Sequence, residues 1–245
     1  MYKSYADTAK EYLHNIDRKG LPYASEHLHR YLIRTKKEFK PETITGRIHH
    51  IGKELGKLLK NRKDKFDLLR QLWRYETVQE RILAIDAMSV LSDEYPGEIK
   101  DFLVEMADDM HNWKISLQMA MRIISHLVID NPEELFVILN RWMESDDALK
   151  RQIAMSCIPA FIRSREKDID KALDFINKGM EEKDGKVIKA VAWAIREVSK
   201  KDPQKTYEFL RKWAANDNSY TKKIIEQSVK YLPEDKQREI LSALG

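Results

Sequence analysis

Helix starts recur along this chain at a nearly fixed interval, and that interval leaves few folds open. Pro96, Pro132, Asp168, Pro203 and Pro233 each open a helical pattern, and successive starts lie 36, 36, 35 and 30 residues apart. Asn131-Pro132-Glu133-Glu134 sets a capping residue before a proline at the first helical position and acids in the first turn; Asp202-Pro203 and Pro233-Glu234-Asp235 are similar. Proline lacks the N–H that a first turn leaves unpaired, and acids there face the positive helix end. Between these starts lie second helical runs: RILAIDAM, SLQMAMRII, RQIAMSCI, KAVAWAIREV and IIEQSVKYL. A lone helix pair of this size cannot bury its apolar faces, so each pair must stack on the next. The expected fold class is all-α: an α-solenoid, or superhelix, of antiparallel helix pairs.

Fourteen helices are expected, near 5–16, 22–37, 42–60, 64–74, 77–95, 97–110, 112–129, 132–144, 147–163, 168–181, 184–201, 203–215, 218–231 and 234–243. The Trp-Leu-Gly and Tyr signature of tetratricopeptide units is absent, which favours HEAT-like pairs. Eight glycines and seven prolines in 245 residues are too few for an all-β or low-complexity chain. No Gly/Pro-rich linker divides the sequence. A single domain over 1–245 is expected, with divergent basic helices over 1–66 and regular repeats over 67–245.

The net charge of +4 is the remainder of +8 over residues 1–66, −8 over 67–159 and +4 over 160–245. Two basic ends around an acidic middle suggest a polyanionic partner. No stretch approaches ~18 uncharged apolar residues, so no membrane helix or membrane partner is expected. The opening MYKSYADTAKEYL has neither an apolar run nor a small-residue cleavage site, and Cys157 is the one cysteine. A cytoplasmic location is the expectation, at the nucleoid if the chain binds DNA.

Motifs for cofactor or metal chemistry are missing. No glycine-rich phosphate or dinucleotide loop and no HExxH occur. His49 and His50 are adjacent and diverge on a helix, as do His27 and His29, so none of them pairs as a chelate. No cofactor and no metal are expected. Cys157 sits beside Met155 and Ile158 on an apolar face and reads as a buried, inert thiol. Asp108-Asp109 and Asp146-Asp147 read as helix-end residues.

The informative stretches are basic and aromatic. Lys53, Lys57 and Lys60 share one helix face, and Arg62, Lys63 and Lys65 extend the cluster. Lys186, Lys189, Arg196 and Lys200 accompany Trp193 on another helix, and Lys222 and Lys223 open the second helix of the following repeat. Equivalent helices of a solenoid line one wall, so such residues can track a phosphate backbone. They would equally suit a solvated outer face.

These residues carry a resemblance. KVIKAVAWAIREVSKKDP (186–203) resembles the hallmark helix of the AlkD-like DNA alkylation repair proteins, HEAT-like repeat DNA glycosylases, matching at Lys189, Ala190, Trp193, Arg196, Glu197, Lys200 and Pro203. QLWRYETVQERILAIDAM (71–88), FLVEMADDMHNWKIS (102–116) and RWMESDDALKRQIAM (141–155) are similar in order and spacing, so the likeness covers about 67–245. It implies a basic concave groove that holds duplex DNA, alkylated or not, by a monomer. Carried over, Trp113 and Trp193 take the family's tryptophan positions, and Arg151 its arginine position with a one-residue gap. Lys186, Lys189, Arg196, Lys222, Lys223, Lys53 and Lys57 would contact phosphates.

The family's aspartate position, four residues after the first tryptophan, holds Leu117. A carboxylate there would stabilise the oxocarbenium-like sugar left by an excised base and orient water; leucine does neither. The catalytic residue is therefore left open, and a glycosylase scaffold that binds without excising is one expectation. The other is a non-catalytic HEAT-repeat interaction protein that binds protein or RNA, which acids lining the groove would favour.

Overall fold

A computed structural model describes residues 3–36, 43–75, 77–107, 109, 112–124, 127 and 132–244, without the side chains of 107, 113, 114, 116 and 135. Among them are fourteen α-helices and no strand. They are α1 (Tyr5–Lys19), α2 (Leu21–Arg34), α3 (Ile44–Leu59), α4 (Lys65–Arg74), α5 (Val78–Leu91), α6 (Pro96–Ala107), α7 (Trp113–Met119), α8 (Pro132–Met143), α9 (Ala148–Ser164), α10 (Ile169–Asn177), α11 (Gly185–Lys201), α12 (Pro203–Ala214), α13 (Ser219–Ser228) and α14 (Glu234–Ala243). Each expected helix has its counterpart. No described helix is long and apolar enough to cross a membrane. The helices fall into two compact units, Met1–Asp109 and Met110–Gly245.

In the first unit, α1 folds back into α2 through the single residue Gly20, whose φ of 82° suits glycine alone among common residues. The tightest seam joins α3 to α5. His49 meets Asp86 and Lys60 meets Glu94, so the partners advance together and the two helices run parallel. Gly52 and Gly56 make the approach possible. A Cβ on Gly52 would stand 2.7 Å from Asp86 Cβ, and one on Gly56 2.8 Å from both the Ala87 carbonyl oxygen and Val90 Cβ. Leu55, Leu59, Leu83 and Met88 are fully buried along this seam.

The second unit stacks like on like. Among first helices, α10 and α12 are laced by Lys205 to Asp170 and by Trp213 Nε1 to Asn177 at 3.0 Å, while Asn216 bonds Glu181 just beyond. Among second helices, α9 and α11 are joined by Arg163 and Glu197, and Gly179 lets Met155 and Val191 close over the turn between α10 and α11. Phe136 of α8 packs edge-on against Phe161 of α9 and Phe175 of α10, with ring centroids 5.0 and 5.4 Å apart. Cys157 is buried within α9, and burial pushes its thiol far up, as befits an inert group.

Two local departures from the expected pattern have physical causes. The helix expected over 112–129 is α-helical only to Met119 and continues as a π-turn over Ala120–Ile124. The wider turn lets Met119, Ala120, Ile123 and Ile124 all reach the core while Met121 stays exposed. Pro159 lies inside α9 rather than at a start. Proline in a helix interior forfeits a hydrogen bond, yet Ile158, Phe161 and Ile162 are fully buried around it, and that packing carries the helix through.

The glycine seam gives opposite expectations for two substitutions. Gly56→Ala should lower stability by about 1–3 kcal/mol through overpacking, more than the ~1 kcal/mol that alanine gains in helix propensity. Gly97→Ala, where nothing lies within 4 Å of the new Cβ, should leave stability unchanged or raise it. Urea unfolding midpoints of both variants check this.

Candidate nucleic-acid interface

Three second helices of the second unit begin with the same device. Asp147 accepts from the Leu149 N–H, Asp184 from Lys186 and Val187, and Asn218 from Tyr220. These caps satisfy N–H groups that the first turn leaves unpaired. They also set a common register for α9, α11 and α13. The fifth residue after the cap is Gln152, Lys189 and Lys223 in turn; the ninth is Ser156, Trp193 and Gln227; the twelfth is Pro159, Arg196 and Lys230. Counted from Asn112, α7 supplies Leu117 and Met121 to the first two of these rows. Steps of three and four keep such positions on one helix face.

On α11, between its two ends, that face is the only open one. Between Lys186 and Lys200 every residue is buried except Lys186, Lys189, Trp193, Arg196 and Lys200. Lys186, Lys189 and Lys200 are exposed, and Trp193 and Arg196 are half-buried. Neighbouring helices cover the rest of the cylinder, and what remains for solvent is four cations and an indole. Lys223, one helix on, is exposed in the same row as Lys189.

The individual partners divide the expected site residues into two groups. Lys186, Lys189 and Lys223 make no side-chain ion pair among the described residues. Arg196 instead donates from Nη1 to the Gln227 carbonyl at 2.7 Å, tying α11 to the end of α13. Lys222 pairs with Asp217 at 3.0 Å. In the first unit, Lys53 and Lys57 are both exposed on α3, and Lys57 pairs with Glu54 at 2.7 Å. The neighbouring Lys60 and Arg62 are held by Glu94 and by Asp17 and Asp64. Trp113 opens α7, and its side chain lies outside the described residues.

Arg151 is the most constrained of the expected residues. Its Nε and Nη2 donate to the two oxygens of Glu182 at 2.6 and 3.1 Å, and its Nη1 donates to the Ser145 carbonyl at 2.7 Å. Glu182, in the turn before α11, also accepts from the backbone N–H groups of Lys183 and Asp184 at 2.8 and 3.0 Å. Burial pushes the Glu182 carboxyl up, but Arg151 and those two amides outweigh burial and hold it below the usual carboxylate range. The same pairing raises the Arg151 guanidinium.

A second carboxylate, Glu197, stands beside Trp193. Its own burial is outweighed by Lys200, Arg163 and the Trp193 indole, so it too is held low. Sequence reasoning quoted Glu197 only as a motif position and missed Glu182. The available signal was charge complementarity one repeat apart, since Arg151 and Glu182 are 31 residues apart and Arg163 and Glu197 are 34. Leu117 is half-buried on α7, and the adjacent Gln118 accepts from Arg122 Nε at 2.7 Å. No group of three or more metal-ligating side chains occurs among the described residues.

The arrangement can attract an anion with exposed ammonium groups and offer an indole to an apolar or aromatic surface. It holds its two nearest carboxylates in ion pairs. The Glu182 pairing has a pH signature. A carboxyl held low in the folded state contributes stability above its ordinary pKa and loses it as pH falls through the lowered folded value. Glu182→Gln should therefore lose stability at pH 7 and narrow the difference in urea midpoint between pH 7 and pH 3 relative to the unsubstituted protein.

A model of the DNA alkylation repair enzyme family matches residues 43–232. Among curated proteins and among solved structures, none matches the chain. The matched span runs from the cap of α3 to the residue after the 3-10 turn that closes α13, covering most of both units. It contains the α11 stripe, the Arg151–Glu182 pair and Leu117. The chain belongs to the DNA alkylation repair enzyme family.

Proposed function

We propose that the second-helix face of the second unit binds duplex DNA, alkylated or not, mainly through its phosphates. One observation carries the reading: between Lys186 and Lys200 the open face of α11 consists of Lys186, Lys189, Trp193, Arg196 and Lys200. Family membership supports DNA as the polyanion. Lys186, Lys189 and Lys223 would supply phosphate contacts, with Lys222 joining once released from Asp217. Lys53 and Lys57, exposed on α3 of the first unit, would make phosphate contacts of their own. Trp193, with Trp113, would lie against sugar and backbone where the duplex is distorted. Such contacts position the duplex without reading its sequence.

Counterion release makes this testable. Logarithmic plots of affinity against salt should be steep, with a slope of roughly −0.9 per phosphate neutralised. Lys189→Ala should reduce the slope by about one and weaken all sequences alike. Fluorescence anisotropy with a labelled duplex between low and moderate salt is the measurement, and a salt-independent affinity would overturn the reading.

Leu117 favours binding without excision. An oxocarbenium-like sugar needs negative charge beside it, and α7 offers leucine where the resemblance places aspartate. Glu182 and Glu197 are already committed to Arg151, Lys200 and Arg163. Folded protein that binds methylated duplex should release no 7-methylguanine or 3-methyladenine on chromatography of the free bases. Release that vanishes on changing one of these carboxylates would make the chain a glycosylase instead.

A further inference from the structure

A pocket of about 280 Å³ lies in the first unit, between α2 and the turn that leads from α4 into α5. Glu80 lines it from the third position of α5, and only 2% of that residue is exposed. Leu28 and Leu32 of α2 form an apolar wall, and Tyr75 adds an aromatic ring. Glu26 and His29 line the exposed rim.

A carboxylate at this position of a helix ordinarily turns back and accepts from the N–H of the capping residue. Glu80 does not. Its Oε1 accepts from the hydroxyls of Ser25 and, at 3.5 Å, Tyr12, and its Oε2 accepts from the hydroxyl of Thr77. Hydroxyls satisfy a carboxylate without neutralising it, and the N-terminal end of α5 offsets only part of the charge. The sequence neighbour Arg81 is engaged elsewhere: its guanidinium lies 4.5 Å from the Trp73 ring and donates to the Trp73 and Asp109 carbonyls. Residues 1–66 carry a net charge of +8, yet no lysine or arginine lines this pocket. At the rim, Glu26 reaches Arg30 at 3.3 Å, with both side chains largely in solvent. Burial first, and the Glu80 charge after it, push the Tyr12 phenol well above its ordinary range. Among the described residues, a buried negative charge thus faces a pocket with no cation of its own.

We propose that this pocket binds a small organic cation, an ammonium group on an apolar stem, with the charge on Glu80 and the stem against Leu28, Leu32 and Tyr75. A carboxylate offers about four acceptor sites, so three hydroxyls leave room for an N–H. A charged donor there makes the stronger kind of hydrogen bond, and the Tyr75 ring adds cation–π attraction. Apolar walls suit the stem and not a bare metal ion, which takes several oxygen ligands. The acids repel phosphate, so the site does not rest on the DNA-binding reading. A free amine and the lysine side chain of another protein share this chemistry.

The test titrates the full chain by calorimetry at constant ionic strength. The probes are n-butylammonium, the Nα-acetyl methylamide of lysine, and butyrate as a control of similar size and opposite charge. Butylammonium should bind with a Kd of about 1 mM, and butyrate should not bind. Binding of the blocked lysine as well assigns the pocket to a protein side chain; binding of butylammonium alone assigns it to a free amine. Glu80→Gln, which keeps the shape and removes the charge, should weaken butylammonium by about tenfold. Glu26→Lys sets a cation at the exposed rim and should weaken it similarly at an unchanged unfolding temperature, so the test stands even if Glu80→Gln does not fold. Failure of both amines to bind overturns the proposal, and so do equal heats from butylammonium and butyrate. A folded Glu80→Gln or Glu26→Lys protein that binds butylammonium as tightly as the unsubstituted chain overturns it too.

Discussion

Neither helix of a pair in this chain can bury its own apolar face, and the stacking of pair on pair follows from that. The consequence is visible in the polar contacts. Arg70 to Glu105, Lys201 to Glu166, Lys205 to Asp170 and Asn216 to Glu181 each span 35 residues. Such pairs lie at the surface, where each contributes little. Their common spacing nevertheless fixes which residue of one helix stands beside which residue of the next. Register, rather than strength, is what they supply, and register places Lys189 beside Gln152 and Lys223.

Most of the architecture was legible because it rests on short-range rules. Proline, a capping residue and first-turn acids announce helix starts, and the starts repeat. What escaped was set by neighbours in space. The π-turn at Ala120–Ile124 answers to the core beneath it, and Pro159 continues a helix that local rules would end. Gly52 and Gly56 look like weak points of α3 until Asp86 and Val90 are brought against them. The basic cluster at Lys53–Lys65 looked like one patch, yet Glu54, Glu94, Asp17 and Asp64 answer three of its charges.

The candidate site shows the same division. The stripe on α11 follows from helical spacing alone, and burial of the intervening residues sharpens it. Glu182 could not be seen in the same way, since it depends on a contact made across a repeat. A composition that seemed merely mixed in charge thus resolves into cations left open on one helix and a cation already answered on another.

The clamp on Arg151 bears on distance. An exposed lysine acts over about a Debye length, roughly 8 Å at physiological ionic strength. A guanidinium locked to a carboxylate presents no net charge at that range, and its remaining N–H groups act only at contact. On the proposed reading, Lys186, Lys189 and Lys223 serve capture, whereas Arg151 acts only on what has already arrived. Raising salt would then slow arrival at the face while sparing the short-range contacts made after it.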